Sequence, residues 1–184
     1  SRGLGDVYKR QVRTNLQFML ENGKNVILVT STISGEGKSF VSSNLAISLS
    51  LLGKKVVIVG LDIRKPGLNK VFNLSKKEHG ITQYLTNTTI NLMDLVQQSD
   101  INKNLFILPG GTVPPNPTEL LARDGLDKAI EILRQKFDYV ILDTAPVGMV
   151  TDTLLVGRAA DLSVYVCRAD YTHKACLLYT SPSP

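Results

Sequence analysis

Apolar residues along this chain gather in short, β-branched runs separated by longer stretches of helical spacing. The runs are Val26–Val29, Val56–Val59, Leu105–Leu108, Tyr139–Leu142 and Leu162–Val166. Each is continuous rather than alternating, which predicts strands buried on both faces, as in a parallel sheet. Helical spacing occurs at Lys38–Leu52, Leu120–Phe137 and Asp152–Ala160, with shorter segments at Ile81–Leu85 and Leu92–Gln98. Strands alternating with helices predict an α/β domain: a doubly wound, mainly parallel sheet with helices on both faces. Ligands in such folds sit at the carboxyl ends of strands, where Thr30, Asp62 and Asp143 fall.

The loop after the first run, TSTISGEGKSF (Thr30–Phe40), carries the sharpest chemistry. A strand, a glycine-rich turn and a helix start aim successive backbone N–H groups at one anion, and the helix dipole adds to the attraction. Ser34, Gly35, Glu36, Gly37, Lys38, Ser39 and Phe40 form the candidate nucleotide loop. Lys38 supplies a cation for the outer phosphates, and the Ser39 hydroxyl is placed to ligate Mg²⁺. Thr32 stands where a Walker A pattern has its first glycine. A plain loop ahead of an amphipathic helix is the alternative; the buried-type strand before it and the helix behind favour phosphate. FDYVILDTAP then places Asp143 at a strand end, suited to holding the waters of Mg²⁺. A third strand, KVVIVGLDIRKP, ends in Asp62, Arg64 and Lys65. In LPGGTVPPNPTELL (Leu108–Leu121), Asn116, Pro117 and Glu119 predict a capped helix start.

Bulk properties narrow the class. The 184 residues are 43% hydrophobic and 20% charged, enough for one globular domain, and no apolar run approaches a membrane span. The formal charge of +5 is spread in pairs such as Lys54-Lys55 and Lys76-Lys77, a solvated-face pattern that argues against nucleic acid as a partner. Cys167 and Cys176 match no metal spacing, and a reducing compartment follows most simply. The two ends look foreign. One legitimate coding for Cys176–Pro184 is the reverse complement of one for Gly3–Arg10 and the start of Gln11. Both ends resemble translated sequencing adapter, so residues 1–11 and 176–184 are set aside as non-native and Val12–Ala175 is expected to be a partial domain. Without the ends the charge is +3 and Cys167 is the only cysteine.

The motifs together resemble one family closely: the bacterial tyrosine kinases of capsule and exopolysaccharide chain-length control. SGEGKSFVSSNLA, GLDIRKPGL, GITQYL, LPGGTVPPNPTELL and DYVILDTAPVGMVTD occur in the family's order and cover nearly all of Val12–Ala175. The resemblance implies a P-loop NTPase fold of the deviant Walker, partition-ATPase-like type. It implies an ATP- and Mg²⁺-dependent protein-tyrosine autokinase, with Lys38, Asp62 and Asp143 catalytic and Ser39, Asp62 and Asp143 around the metal. Asp62 falls on the second acid of the Walker A′ motif, and Arg64 on the basic residue after it. The motif usually opens with an acid two residues earlier, where this chain has Gly60. RTNLQF (Arg13–Phe18) resembles the end of a helix that family members use for assembly into rings. The intact protein is expected at the cytoplasmic face of the bacterial inner membrane, beside a transmembrane activator region, acting on protein tyrosines. The alternatives are a partition- or division-type ATPase switch, or a degenerate nucleotide-binding module. The switch class carries a signature lysine five residues before the Walker lysine, where this chain has Ile33.

Overall fold

The computed structural model describes residues 10–11, 14–18, 23–31, 37–74, 78–122, 124–146, 157–169 and 174–180. A short helical stretch, α1, lies at residues 14–18. Then follow β1 (Val26–Ser31), α2 (Lys38–Leu51), β2 (Val56–Gly60), α3 (Leu68–Val71) and α4 (Ile81–Thr86). The chain continues through β3 (Gln97–Gln98), β4 (Leu105–Leu108), α5 (Pro117–Ala122), α6 (Asp124–Lys136), β5 (Tyr139–Asp143), β6 (Leu162–Ala169) and β7 (Lys174–Thr180).

The strands form one sheet in the order β3-β4-β2-β5-β1-β6-β7. The five inner strands run parallel, while β3 and β7 add antiparallel at the edges. Side chains alternate across it as the pleat requires. Val26, Leu28, Val57, Val59, Val140 and Leu142 face one apolar layer, closed by α4, α5 and α6. Ile27, Val29, Val56, Ile58, Tyr139 and Ile141 face the other, closed by α2, α3 and Leu16 of α1. The continuous apolar runs are thus explained: each strand has a buried face on both sides. All five expected strands are present, and β1, β2 and β5 end together.

Three expectations need correction. The single helical pattern at Leu120–Phe137 is two helices. The first starts at Pro117, and the second has its own acidic turn from Asp124 and Asp127, matched to the helix dipole. Leu92–Gln98 is not a helix. Asn91 accepts a hydrogen bond from the Met93 N–H and caps a single 3₁₀ turn, Leu92–Leu95, after which Gln97–Gln98 pairs with Phe106–Ile107 of β4. The third concerns the chain end. No regular element was expected beyond Ala175, yet β7 pairs antiparallel with β6 from Ala169↔Lys174 to Ser163↔Thr180. Without it β6 would present an unpaired edge, and an adjoining apolar segment satisfies the open N–H and C=O groups whatever its origin. The helix expected at Asp152–Ala160 lies mostly outside the described residues.

On the expectation that residues 176–184 are foreign to the domain, β7 is a dispensable addition to the sheet edge. Trimming to Val12–Ala175 is therefore expected to leave the thermal midpoint unchanged within error. A clear fall in the melting curve would instead make residues 176–180 part of the domain.

Candidate active site

Three chain segments meet at the carboxyl edge of the sheet: the start of α2, the residues after β2 and the end of β5. Register brings them together. Gly60 pairs with Asp143 across the β2–β5 ladder. Beyond that pair the Leu61 and Asp62 N–H groups both donate to the Asp143 carbonyl, at 2.8 and 2.9 Å. The end of β5 is tied to β1 in turn. The Thr144 N–H and hydroxyl both donate to the Val29 carbonyl, at 3.1 and 3.0 Å, and the Thr30 hydroxyl donates to Ala145 O at 2.8 Å. These bonds fix the two acids as rigidly as strand residues.

α2 begins at Lys38, behind Gly37 in the left-handed conformation (φ 77°) that glycine adopts at least cost. Ser42, Ser43, Leu45, Ala46, Leu49 and Ser50 form its buried face. Packing that face against the sheet turns the first residues of the helix towards the acids. Lys38 Nζ lies 2.7 Å from Asp143 Oδ1 and 3.7 Å from Asp62 Oδ2. All three residues are nearly buried, at 6, 1 and 7% exposure. The Ser39 hydroxyl donates to Asp143 Oδ2 at 2.9 Å, and the Ser42 hydroxyl to Asp143 Oδ1 at 3.1 Å. Asp143 thus has a lysine and a serine on one oxygen and a second serine on the other.

Asp62 is held less completely. Its Oδ1 accepts the Lys65 N–H at 3.3 Å. Burial pushes its pKa up from the ordinary 3.8; the Lys38 ammonium and the Lys65 N–H oppose this, and the Asp143 carboxylate reinforces it. Arg64 points another way: it is exposed, and its guanidinium donates to the Thr118 hydroxyl at 2.7 Å, linking this loop to α5. Phe40 is 66% exposed beside the loop. Ser34, Gly35 and Glu36 lie outside the described residues.

Glycines set how closely the loops approach. A Cβ on Gly67 would stand 2.1 Å from Ser39 Oγ and 2.8 Å from Ser39 Cβ, so only glycine lets this loop close over the Walker serine. A Cβ on Gly60 would meet the Gly110 nitrogen at 3.0 Å and Leu68 Cδ1 at 3.3 Å. A side chain at position 60 would require these neighbours to give by a few tenths of an ångström.

The donor set is all oxygen: Ser39 Oγ, Asp143 Oδ2 and the Asp62 carboxylate. It suits a small hard cation carried in with phosphates, since Mg²⁺ keeps most of its waters and needs only one or two carboxylates. Among the described residues no cluster of three or more His, Cys, Asp or Glu would hold a metal without such help. A buried cation over two acids at the N-terminus of a helix is the polarity of a nucleotide phosphate site.

An AAA-domain family model matches residues 24–173. The tyrosine-protein kinase CpsD of Streptococcus agalactiae is 36% identical over 173 residues, covering 91% of this chain and 74% of that protein. The chain belongs to the bacterial tyrosine-protein kinases. The solved kinase domain of Escherichia coli Etk superposes on this kinase domain with a TM-score of 0.82 at 34% identity, covering 89% of this chain and 64% of that one. The whole Etk protein of strain K12 is far longer, and the match spans 22% of it. The septum site-determining protein MinD of Pyrococcus horikoshii, solved with Mg-ADP, has a TM-score of 0.65 at 23% identity, covering 77% of this chain and 57% of that one. It shares the P-loop fold of this kinase.

The structure brings together Gly37, Lys38, Ser39, Asp62 and Asp143 from the sequence-derived set, and turns Arg64 towards Thr118. Sequence reasoning passed over Ser42, Gly67 and Thr144. The run FVSSN gives no sign of which serine faces Asp143, and the Gly67 contact is visible only once two loops are folded together.

Two predictions follow from this geometry. An acid whose folded pKa lies above its unfolded value binds more protons when folded, so ionising Asp62 lowers stability as the pH rises from 3.8 through the folded value. Asp62→Asn removes that cost. The nucleotide-free variant is expected to melt above the wild type at pH 7, with the gap closing as the pH falls to about 4; a lower midpoint at pH 7 would mean that attraction to Lys38 outweighs burial. Gly67→Ala forces Ser39 off Asp143. Calorimetric titration is expected to show ADP binding weakened several-fold with Mg²⁺ present and little changed in chelator.

Proposed function

We propose that this domain transfers the γ-phosphoryl group of ATP to tyrosine hydroxyls on neighbouring copies of itself. Through that reaction the whole protein regulates polymerisation and export of capsule or exopolysaccharide. The observation that carries the reading is the convergence of Lys38 with Asp143 and Asp62, at 2.7 and 3.7 Å, in a buried site at the helix start. Phosphoryl transfer through a loose transition state needs positioning and charge neutralisation more than covalent help, and these residues supply both. Magnesium, held by Ser39 with Asp143 and Asp62 behind it, would neutralise charge on the β- and γ-phosphates. Lys38 reaches the same phosphates from the helix side. Asp62, whose pKa is raised, is the group suited to accept the tyrosine proton.

Assembly and membrane placement belong to the same proposal. Phe18 on α1 exposes 66% of its surface, an apolar contact for a second copy in a ring. No described helix is long and apolar enough to cross a membrane, so attachment at the cytoplasmic face would come through an activator region. A switch-type ATPase is the competing reading for the same fold.

Two measurements test this. Lys38→Met removes a charge-assisted contact worth roughly 1.5–3 kcal/mol, and ADP affinity is expected to fall about tenfold or more; unchanged binding would sink the phosphate site. The protein with its intact reading frame, given Mg-ATP, is expected to label tyrosine in trans, and Asp62→Asn to abolish labelling while ADP still binds. Phosphate release without labelled tyrosine would establish the ATPase switch. Nucleotide binding with neither product would identify a degenerate module.

A further inference from the structure

Asp143 has to face two ways at once, and one cation cannot hold it throughout the cycle. Its Oδ1 takes Lys38 Nζ at 2.7 Å and the Ser42 hydroxyl at 3.1 Å, while Oδ2 takes Ser39 at 2.9 Å. When phosphates enter, Lys38 is drawn to them. Among the described residues Oδ1 then keeps one donor, Ser42, which cannot follow the nucleotide because it sits in the second turn of α2 with no exposed surface. Left without a donor, a buried carboxylate oxygen is costly, and rotation of the group would carry Oδ2 away from Ser39.

A simpler account of Ser42 is back-bonding to its own helix, since its hydroxyl also reaches the Ser39 carbonyl at 3.1 Å. The same helix contains the comparison. Ser50, equally buried, bonds the Ile47 carbonyl three residues back at 2.7 Å, the bond expected of a serine with only that role. The corresponding Ser42 bond is longer and competes with a carboxylate. A hydroxyl has one proton, and an ionised acceptor holds it more strongly than a carbonyl.

We propose that Ser42 is a positioning residue for the metal–nucleotide state: it holds Asp143 Oδ1 once Lys38 has turned to the phosphates, keeping Oδ2 directed at Ser39 and the magnesium waters. The inference rests on the phosphate-site reading above. It goes beyond that reading by separating the nucleotide-free protein, where Lys38 and Ser42 share Oδ1, from the loaded one, where among the described residues Ser42 is the donor left on it.

The test compares wild type, Ser42→Ala, Ser42→Thr and Ser50→Ala. ADP affinity is measured by calorimetry with Mg²⁺ and in chelator, and Mn²⁺ binding in the presence of ADP by electron paramagnetic resonance. Loss of one hydrogen bond to a charged group predicts that Ser42→Ala weakens Mn²⁺ binding about tenfold or more. ADP affinity in chelator stays within about twofold, and the nucleotide-free midpoint falls no more than for Ser50→Ala. Ser42→Thr restores Mn²⁺ binding at least in part. Equal losses with and without metal, or a loss that Ser50→Ala reproduces, would reduce Ser42 to helix packing. Unchanged Mn²⁺ binding in Ser42→Ala would also overturn the proposal. A wild type that binds no ADP, with or without metal, would remove the phosphate-site reading itself, a result distinct from either.

Discussion

The ion pair between Lys38 and Asp143 is the contact on which the carboxyl edge of this sheet depends. Two charges this deeply buried lose several kcal/mol of hydration each, and they persist only when geometry and further hydrogen bonds compensate. The fold supplies both. Lys38 opens α2, Asp143 closes β5, and two serines of the same helix complete the shell around the carboxylate. Taking away either partner would leave an uncompensated buried charge, at a cost of roughly 3–5 kcal/mol. A ligand can replace that pair only by bringing charges of its own.

Close backbone approach is the second constraint at this edge of the sheet. Gly60 lies against the Gly110 backbone, and Gly67 against Ser39. The second contact seats the loop on Ser39. Asp62 lies close to Asp143 in a place where burial opposes its ionisation. The same burial that costs stability raises its affinity for a proton, a trade commonly found where a group must act rather than merely pack.

The legible part of this protein was its repeating physics. Five buried strands, the long helix after the glycine loop and the residues at three strand ends all follow from apolar period and turn chemistry. Lys38, Ser39, Asp62 and Asp143 were readable because each stands at an element boundary, where a charged or hydroxyl residue is out of place unless it has a partner. The misreadings fall where local signals are weak. Leu92–Gln98 carries helical spacing, but the Asn91 cap and the open edge of β4 decide its form. β7 was passed over because residues 176–184 were set aside, yet Lys174–Thr180 pairs along the edge of β6.

By itself, then, the sequence determined the parallel α/β class, the family and the residue types at the phosphate end, because these depend on hydrophobic period and on short motifs that act within a few residues. Only the tertiary structure decided which serine of FVSSN meets Asp143, that Arg64 turns towards Thr118, and that Gly67 must lack a side chain. Those facts depend on distances between segments far apart in the chain. Such distances are fixed by strand register and by packing on both faces of the sheet, and neither leaves a local mark in the sequence.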